Sequence, residues 1–131
     1  MSIEEYFENT SGHGIISTAD SDGKVNSAIY GRPHFISDGT IAFIMLPRLT
    51  HHNLQSNLRA SYLFIENGER LNGVRIHLTK IREEVDSELL YELRRVKYGS
   101  DENTVRYIVF FKIDSVLPLV GKDKSSIPFG A

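Results

Sequence analysis

Ile41-Ala42-Phe43-Ile44-Met45-Leu46-Pro47-Arg48-Leu49-Thr50-His51-His52-Asn53-Leu54-Gln55-Ser56-Asn57 is the stretch that decides how this chain folds. Its first part is an unbroken apolar run that reads as a strand, followed by a proline and a short basic turn. A helix then follows over Thr50–Asn57, opened by a hydroxyl residue. A helix start presents unpaired backbone N–H groups and the positive end of the helix dipole. An arginine and a hydroxyl at that point make a seat for a phosphate. The plainer reading of Arg48 and Thr50 is a surface cation beside an ordinary threonine cap.

Strand signals surround this stretch on both sides. Gly14–Ala19 and Val25–Ile36 flank the turn Asp20-Ser21-Asp22-Gly23, and Ser37-Asp38-Gly39 leads into Ile41–Leu46. Ala60–Glu66, Gly73–Val85 and Thr104–Val116 complete about six strands. Ser2-Ile3-Glu4-Glu5 has the form of a capping box and opens a short helix to about Asn9, with Ile3, Tyr6 and Phe7 on one side. Asp86 can cap a third helix carrying Leu89, Leu90, Leu93 and Val96 and closed by Gly99. In the last strand Tyr107, Val109 and Phe111 share one face and Ile108, Phe110 and Lys112 the other, which predicts a central strand or one facing a partner chain. The pattern is mainly β and antiparallel with few helices. Such sheets often close into barrels to remove their edges, although periodicity alone does not choose barrel over sandwich.

A length of 131 residues suits one domain, taken as 1–121, followed by a polar tail over 122–131. The net charge of −2 gives no general attraction to nucleic acid or to an anionic membrane, so any bound phosphate must be met by a local cluster. With no cysteine, disulfides, thiol catalysis and thiolate metal sites are excluded. No apolar run approaches the roughly 20 residues of a membrane span, and the acidic start is not a signal peptide. The expectation is a cytoplasmic protein.

The order Gly23-Lys24-Val25-Asn26-Ser27-Ala28, Asp38-Gly39-Thr40-Ile41-Ala42-Phe43, Thr50-His51-His52-Asn53-Leu54-Gln55-Ser56-Asn57 and Ala60-Ser61-Tyr62-Leu63-Phe64 resembles the pyridoxamine 5′-phosphate oxidase-like family of FMN-binding split β-barrels. The resemblance covers roughly residues 3 to 119. It implies a six-stranded antiparallel split β-barrel with short helices, of the flavin-reductase and oxidase kind. It also implies a homodimer holding FMN between its subunits. Carried onto this chain, the phosphate falls to Arg48, the Thr50 hydroxyl and the amides of His51 and His52, with Asn53 on the same helix. Thr50 stands where the family often has Lys. Ile44 and Met45 match the strand whose backbone meets the flavin ring. Arg32, between Gly31 and Pro33-His34, is either a further phosphate cation or the partner of an acidic residue. Pro33 cannot donate a sheet hydrogen bond, so the sheet is expected to break there and leave backbone open to a ligand. The chain has no counterpart of the C-terminal substrate segment of the true pyridoxamine phosphate oxidases. The shorter flavoproteins are therefore the closer comparison.

The implied activity is an FMN-dependent oxidoreductase that passes electrons or hydride from a reduced nicotinamide or another donor. The alternative is a storage or binding module for FMN, haem or a deazaflavin on the same barrel. An oligonucleotide-binding barrel is disfavoured by the acidic balance and the lack of a basic, aromatic-laced strand face. No catalytic side chain is assigned, and no metal site is expected. His51 and His52 point about 100° apart on a helix and rarely ligate one ion together. Glu83-Glu84 with Asp86 and Glu88 is read as acids flanking a helix start. Arg94-Arg95 with Lys97 is read as a solvated helix face.

Overall fold

The computed structural model describes residues 2–36, 39–94 and 104–121. Val96, Gly99 and the tail 122–131, all singled out in the sequence, lie outside the described residues, as do Ser37 and Asp38.

Seven strands form one antiparallel sheet: β1 (Gly12–Ala19), β2 (Val25–Tyr30), β3 (His34–Phe35), β4 (Thr40–Met45), β5 (Arg59–Glu66), β6 (Gly73–Val85) and β7 (Tyr107–Pro118). Their order across the sheet is β2-β1-β5-β6-β7-β4-β3. The count is seven rather than six because the expected Val25–Ile36 strand is broken at Gly31-Arg32-Pro33. The break has a large consequence. β2 and β3 are the two opposite edges of the sheet, yet only those three residues separate them. Six inter-strand gaps of about 4.8 Å would hold the edges of a flat sheet roughly 29 Å apart. Four Cα steps reach about 14 Å at most. The sheet must therefore curl until its edges nearly meet, which is the split barrel. Across that seam the rings of Tyr30 and Phe43 stand 6.0 Å apart, edge to face.

Turn chemistry sets the hairpins. Gly23 has φ +83°, and the Asp20 carboxylate accepts from the Asp22 and Lys24 amides at 2.9 Å each. Inside the curl lies the main core, including Ile16, Phe43, Tyr62, Phe64, Ile76, Val109 and Phe111. Helix α1 (Ile3–Glu8), capped by Ser2 as expected, closes one end with Tyr6 and Phe7. Helix α3 (Glu88–Leu93) lies on the outer side, where Leu90 packs with Ala42, Ile108 and Phe110. The two apolar faces of β7 are thus both covered within one chain. The cap of α3 is Ser87, whose hydroxyl accepts from the Leu90 amide at 3.2 Å, and not Asp86. Asp86 adopts φ +45° instead and exchanges backbone and side-chain hydrogen bonds with Arg106. Helix α2 spans Leu49–Ser56 with Arg48 as its N-cap residue, so Thr50 sits one position inside the helix rather than opening it.

Candidate functional site: a basic cleft at the seam of the barrel

A cleft of about 380 Å³ runs along the seam between β2 and β4. That volume is in the range of small-molecule sites. Its apolar wall is Ala28, Ile29, Phe43, Ile44 and Leu46. Its polar wall is cationic: Arg32 comes from the edge-to-edge crossover, Arg48 from the start of α2, Arg94 from the end of α3, and Arg106 from the residue before β7. His34 and Thr50 add to it, and among the described residues no Asp or Glu lines it. Four guanidinium groups from separate elements of the chain thus gather around one concavity.

Each arginine is placed by a different piece of local structure. The Arg32 guanidinium donates to the Phe7 carbonyl at 2.8 Å, which holds it at the end of α1. The Arg48 side chain makes no capping bond, and no carboxylate among the described residues pairs with it. Its carbonyl accepts from the His52 amide at 2.9 Å, so the preceding amides of the first turn have no partner inside the helix. Arg94 is the C-cap of α3 and lies 5.4 Å from the Tyr91 ring centroid. Arg106 is 1% exposed, with its amide donating to the Asp86 carboxylate at 3.1 Å and Nη1 reaching the Thr104 carbonyl at 3.4 Å.

No protein-family profile and no curated protein matches the sequence. Among solved structures, an FMN-binding protein from Syntrophomonas wolfei subsp. wolfei superposes with a TM-score of 0.71 at 18% identity, over 88% of this chain and 82% of that one. An F420 reductase gives 0.69 at 12% identity, over 86% and 94%. A haem storage protein from Vibrio cholerae gives 0.61 at 17% identity, over 88% and 90%. The chain has the pyridoxamine 5′-phosphate oxidase-like split-barrel fold. At these identities the likeness speaks for the fold alone.

Within the split barrel, Arg32, His34, Ile44, Arg48 and Thr50 are brought together on the cleft. The other residues assigned to the cofactor in the sequence lie off its walls. Pro33 lines a neighbouring depression under α1, and Met45 is in the core, 1% exposed. Asn53 is buried and donates to the Thr18 hydroxyl at 3.1 Å. His52 is exposed and near Asp20, whose carboxyl is held below the usual carboxylate range chiefly by the hydrogen bond from the Lys24 amide. His51 is buried behind the cleft with Nε2 3.0 Å from Glu83. Among the described residues no three His, Asp or Glu side chains gather as metal ligands.

Arg94 and Arg106 were not reached from the sequence. The pattern of Arg94 with Arg95 and Lys97 predicts a solvated helix face, and the structure corrects this, since Arg94 lines the cleft; Arg95 and Lys97 lie outside the described residues. Arg106 had no local signal. A cation next to an apolar strand is ordinary, and only the pairing of β7 with β4 brings it to the seam.

Proposed function

We propose that this protein binds FMN in the basic cleft as a homodimer and serves as an FMN-dependent oxidoreductase. The observation that carries the reading is the convergence of Arg32, Arg48, Arg94 and Arg106 on a cleft with an apolar wall and, among the described residues, no lining carboxylate. That donor set suits a phosphate ester joined to a flat apolar ring. Arg48, the Thr50 hydroxyl and the first amides of α2 would hold the phosphate. Phe43, Ile44 and Ile29 would border the ring and exclude water from it. FMN supplies the hydride and electron chemistry when bound, and the protein supplies anchoring and orientation. A dimer is supported by Ile29 and Val25 on edge strand β2, which are 81% and 69% exposed, Ile29 at the cleft and Val25 at the far end of the strand. Ile29 also continues outward into the cross-strand row Ile29, Ile15 and Leu63. An exposed apolar edge of this kind invites a second copy.

The test begins with the visible spectrum of the purified protein and the mass of any released chromophore. Bands near ~450 nm with FMN released support the reading. Arg48→Ala should then lose the cofactor, and sedimentation should give a dimer. Bleaching by a reduced nicotinamide supports the oxidoreductase. Binding without any turnover assigns storage instead. A colourless protein that takes up neither FMN, haem nor a deazaflavin overturns the site.

A further inference from the structure

Next to the cleft, among side chains that do not line it, three elements meet through polar groups. From α2, His51 Nε2 lies 3.0 and 3.1 Å from the two Glu83 oxygens. From β6, Lys80 Nζ donates to Glu83 Oε1 at 2.6 Å. From β7, the Tyr107 ring stacks on the His51 ring with centroids 3.7 Å apart and planes 16° apart. Gln55 adds a bond from its amide nitrogen to Glu83 Oε1 at 3.1 Å and another to the His51 carbonyl at 3.0 Å. With His51 Nε2–H directed at Glu83, the Gln55 nitrogen beside it finds its acceptors in those two oxygens. The bulge between Lys80 and Arg82 is what lets Lys80 and Glu83 face the same side, since three positions apart on a regular strand they would face opposite sides.

The neighbours of the stacked pair give the cluster its meaning. His51 follows Thr50, and Tyr107 follows Arg106, and both Thr50 and Arg106 line the cleft. One residue of each adjacent pair faces the ligand space, and the other meets its counterpart behind it. We propose that His51 is a positioning residue: its stack on Tyr107 and its bond to Glu83 fix the separation between the start of α2 and Arg106. The spacing of the cationic groups around the bound phosphate is thereby set from outside the cleft. The inference rests on the reading of the cleft as a phosphate site. The His51 ring touches no ligand and acts only through Thr50, Arg48 and Arg106. Lys80 supplies the countercharge to the Glu83 carboxylate at 2.6 Å.

The test uses the whole chain with FMN and, separately, inorganic phosphate as probes. His51→Phe keeps the stack and removes the bond to Glu83, His51→Gln keeps a donor toward Glu83 and removes the stack, and Glu83→Gln keeps the shape of the anchor. The expected result is a loss of about tenfold in affinity for both probes in His51→Phe. Partial recovery is expected in His51→Gln, with thermal midpoints close to wild type. In ligand-free protein, the Thr50 amide and Arg106 Nε–H resonances should shift together in His51→Phe and in Glu83→Gln, while those of β1 and β5 stay in place. Unmoved Thr50 and Arg106 resonances in both variants overturn the proposal, whatever the ligand result. A wild-type protein that binds neither probe overturns the phosphate reading instead, and the two resonances still decide whether the clamp exists.

Discussion

The Tyr62 hydroxyl donates to the Gly31 carbonyl at 2.9 Å, tying a strand in the body of the sheet to the crossover that joins its two edges. The bond fixes the carbonyl next to Arg32, at the mouth of the cleft. Gly14 makes room for it: a Cβ there would lie 2.0 Å from the Tyr62 oxygen. Tyr62→Phe should lower stability by about 1 kcal/mol through the lost bond. Gly14→Ala should cost about 1–3 kcal/mol, because the ring behind it has no free space to enter. Urea unfolding of both variants tests this, and a Gly14→Ala protein as stable as wild type would contradict the packing described.

Phe110 and Phe111 are both fully buried but in different clusters, Phe111 inside the barrel and Phe110 beneath α3 with the Arg82 guanidinium 3.7 Å from its ring centroid. Each change to Ala should cost about 3–5 kcal/mol. Their local signatures should differ. Phe110→Ala should speed amide exchange across Glu88–Leu93, whereas Phe111→Ala should loosen the sheet. Equal exchange patterns would contradict the two-sided packing of β7.

Burial alone would raise the Glu83 carboxyl, but hydrogen bonds from Lys80, His51 and Gln55 outweigh it and hold the group down at about 2, against an ordinary 4.5. A depressed carboxyl stabilises the fold above its unfolded pKa, and that contribution disappears as protons bind the folded state. Stability should therefore fall between about pH 4.5 and pH 2, and Glu83→Gln should flatten that limb of the profile. Urea midpoints measured across that range decide it. Parallel curves for the two proteins would remove Glu83 from the acid response.

Arg94 separates two accounts of one side chain. A solvated helix face predicts no effect of Arg94→Ala on ligand binding. A cleft wall predicts weaker binding of FMN, by roughly tenfold to a hundredfold if a charge-assisted bond worth about 1.5–3 kcal/mol is lost. Titration at low and at moderate salt should also show a shallower salt dependence in the variant.

Much of the fold was legible because its signals are local. Ser2 and Glu5 mark α1, the Asp20–Gly23 turn marks the first hairpin, and the alternation of Tyr107 to Lys112 marks two covered faces. Arg48 and Thr50 were legible as cleft candidates because strand, turn and helix follow one another in sequence. What escaped was non-local. The separation of β2 from β3 depends on the sheet curling, which no window of sequence states. Glu83 read as one acid in a run because the bulge that turns it toward His51 leaves no compositional mark. His51 and Asn53 sit on the expected helix, but its rotation sends their side chains inward to Glu83 and Thr18, leaving Thr50 to face the cleft.

The strand order also dictates a timetable. β4 is made early, yet its neighbours are only the two-residue β3 and the late β7, whose Tyr107 pairs with Met45 across more than half the remaining chain. β1, β2, β5 and β6 have one another as soon as they emerge, whereas β4 must wait for the most sequence-distant strand pairing among the described residues. Arg106 arrives with that same last strand. The cleft can therefore close only once β7 has docked, and a nascent chain stopped before Arg106 holds Arg48 without that part of the wall.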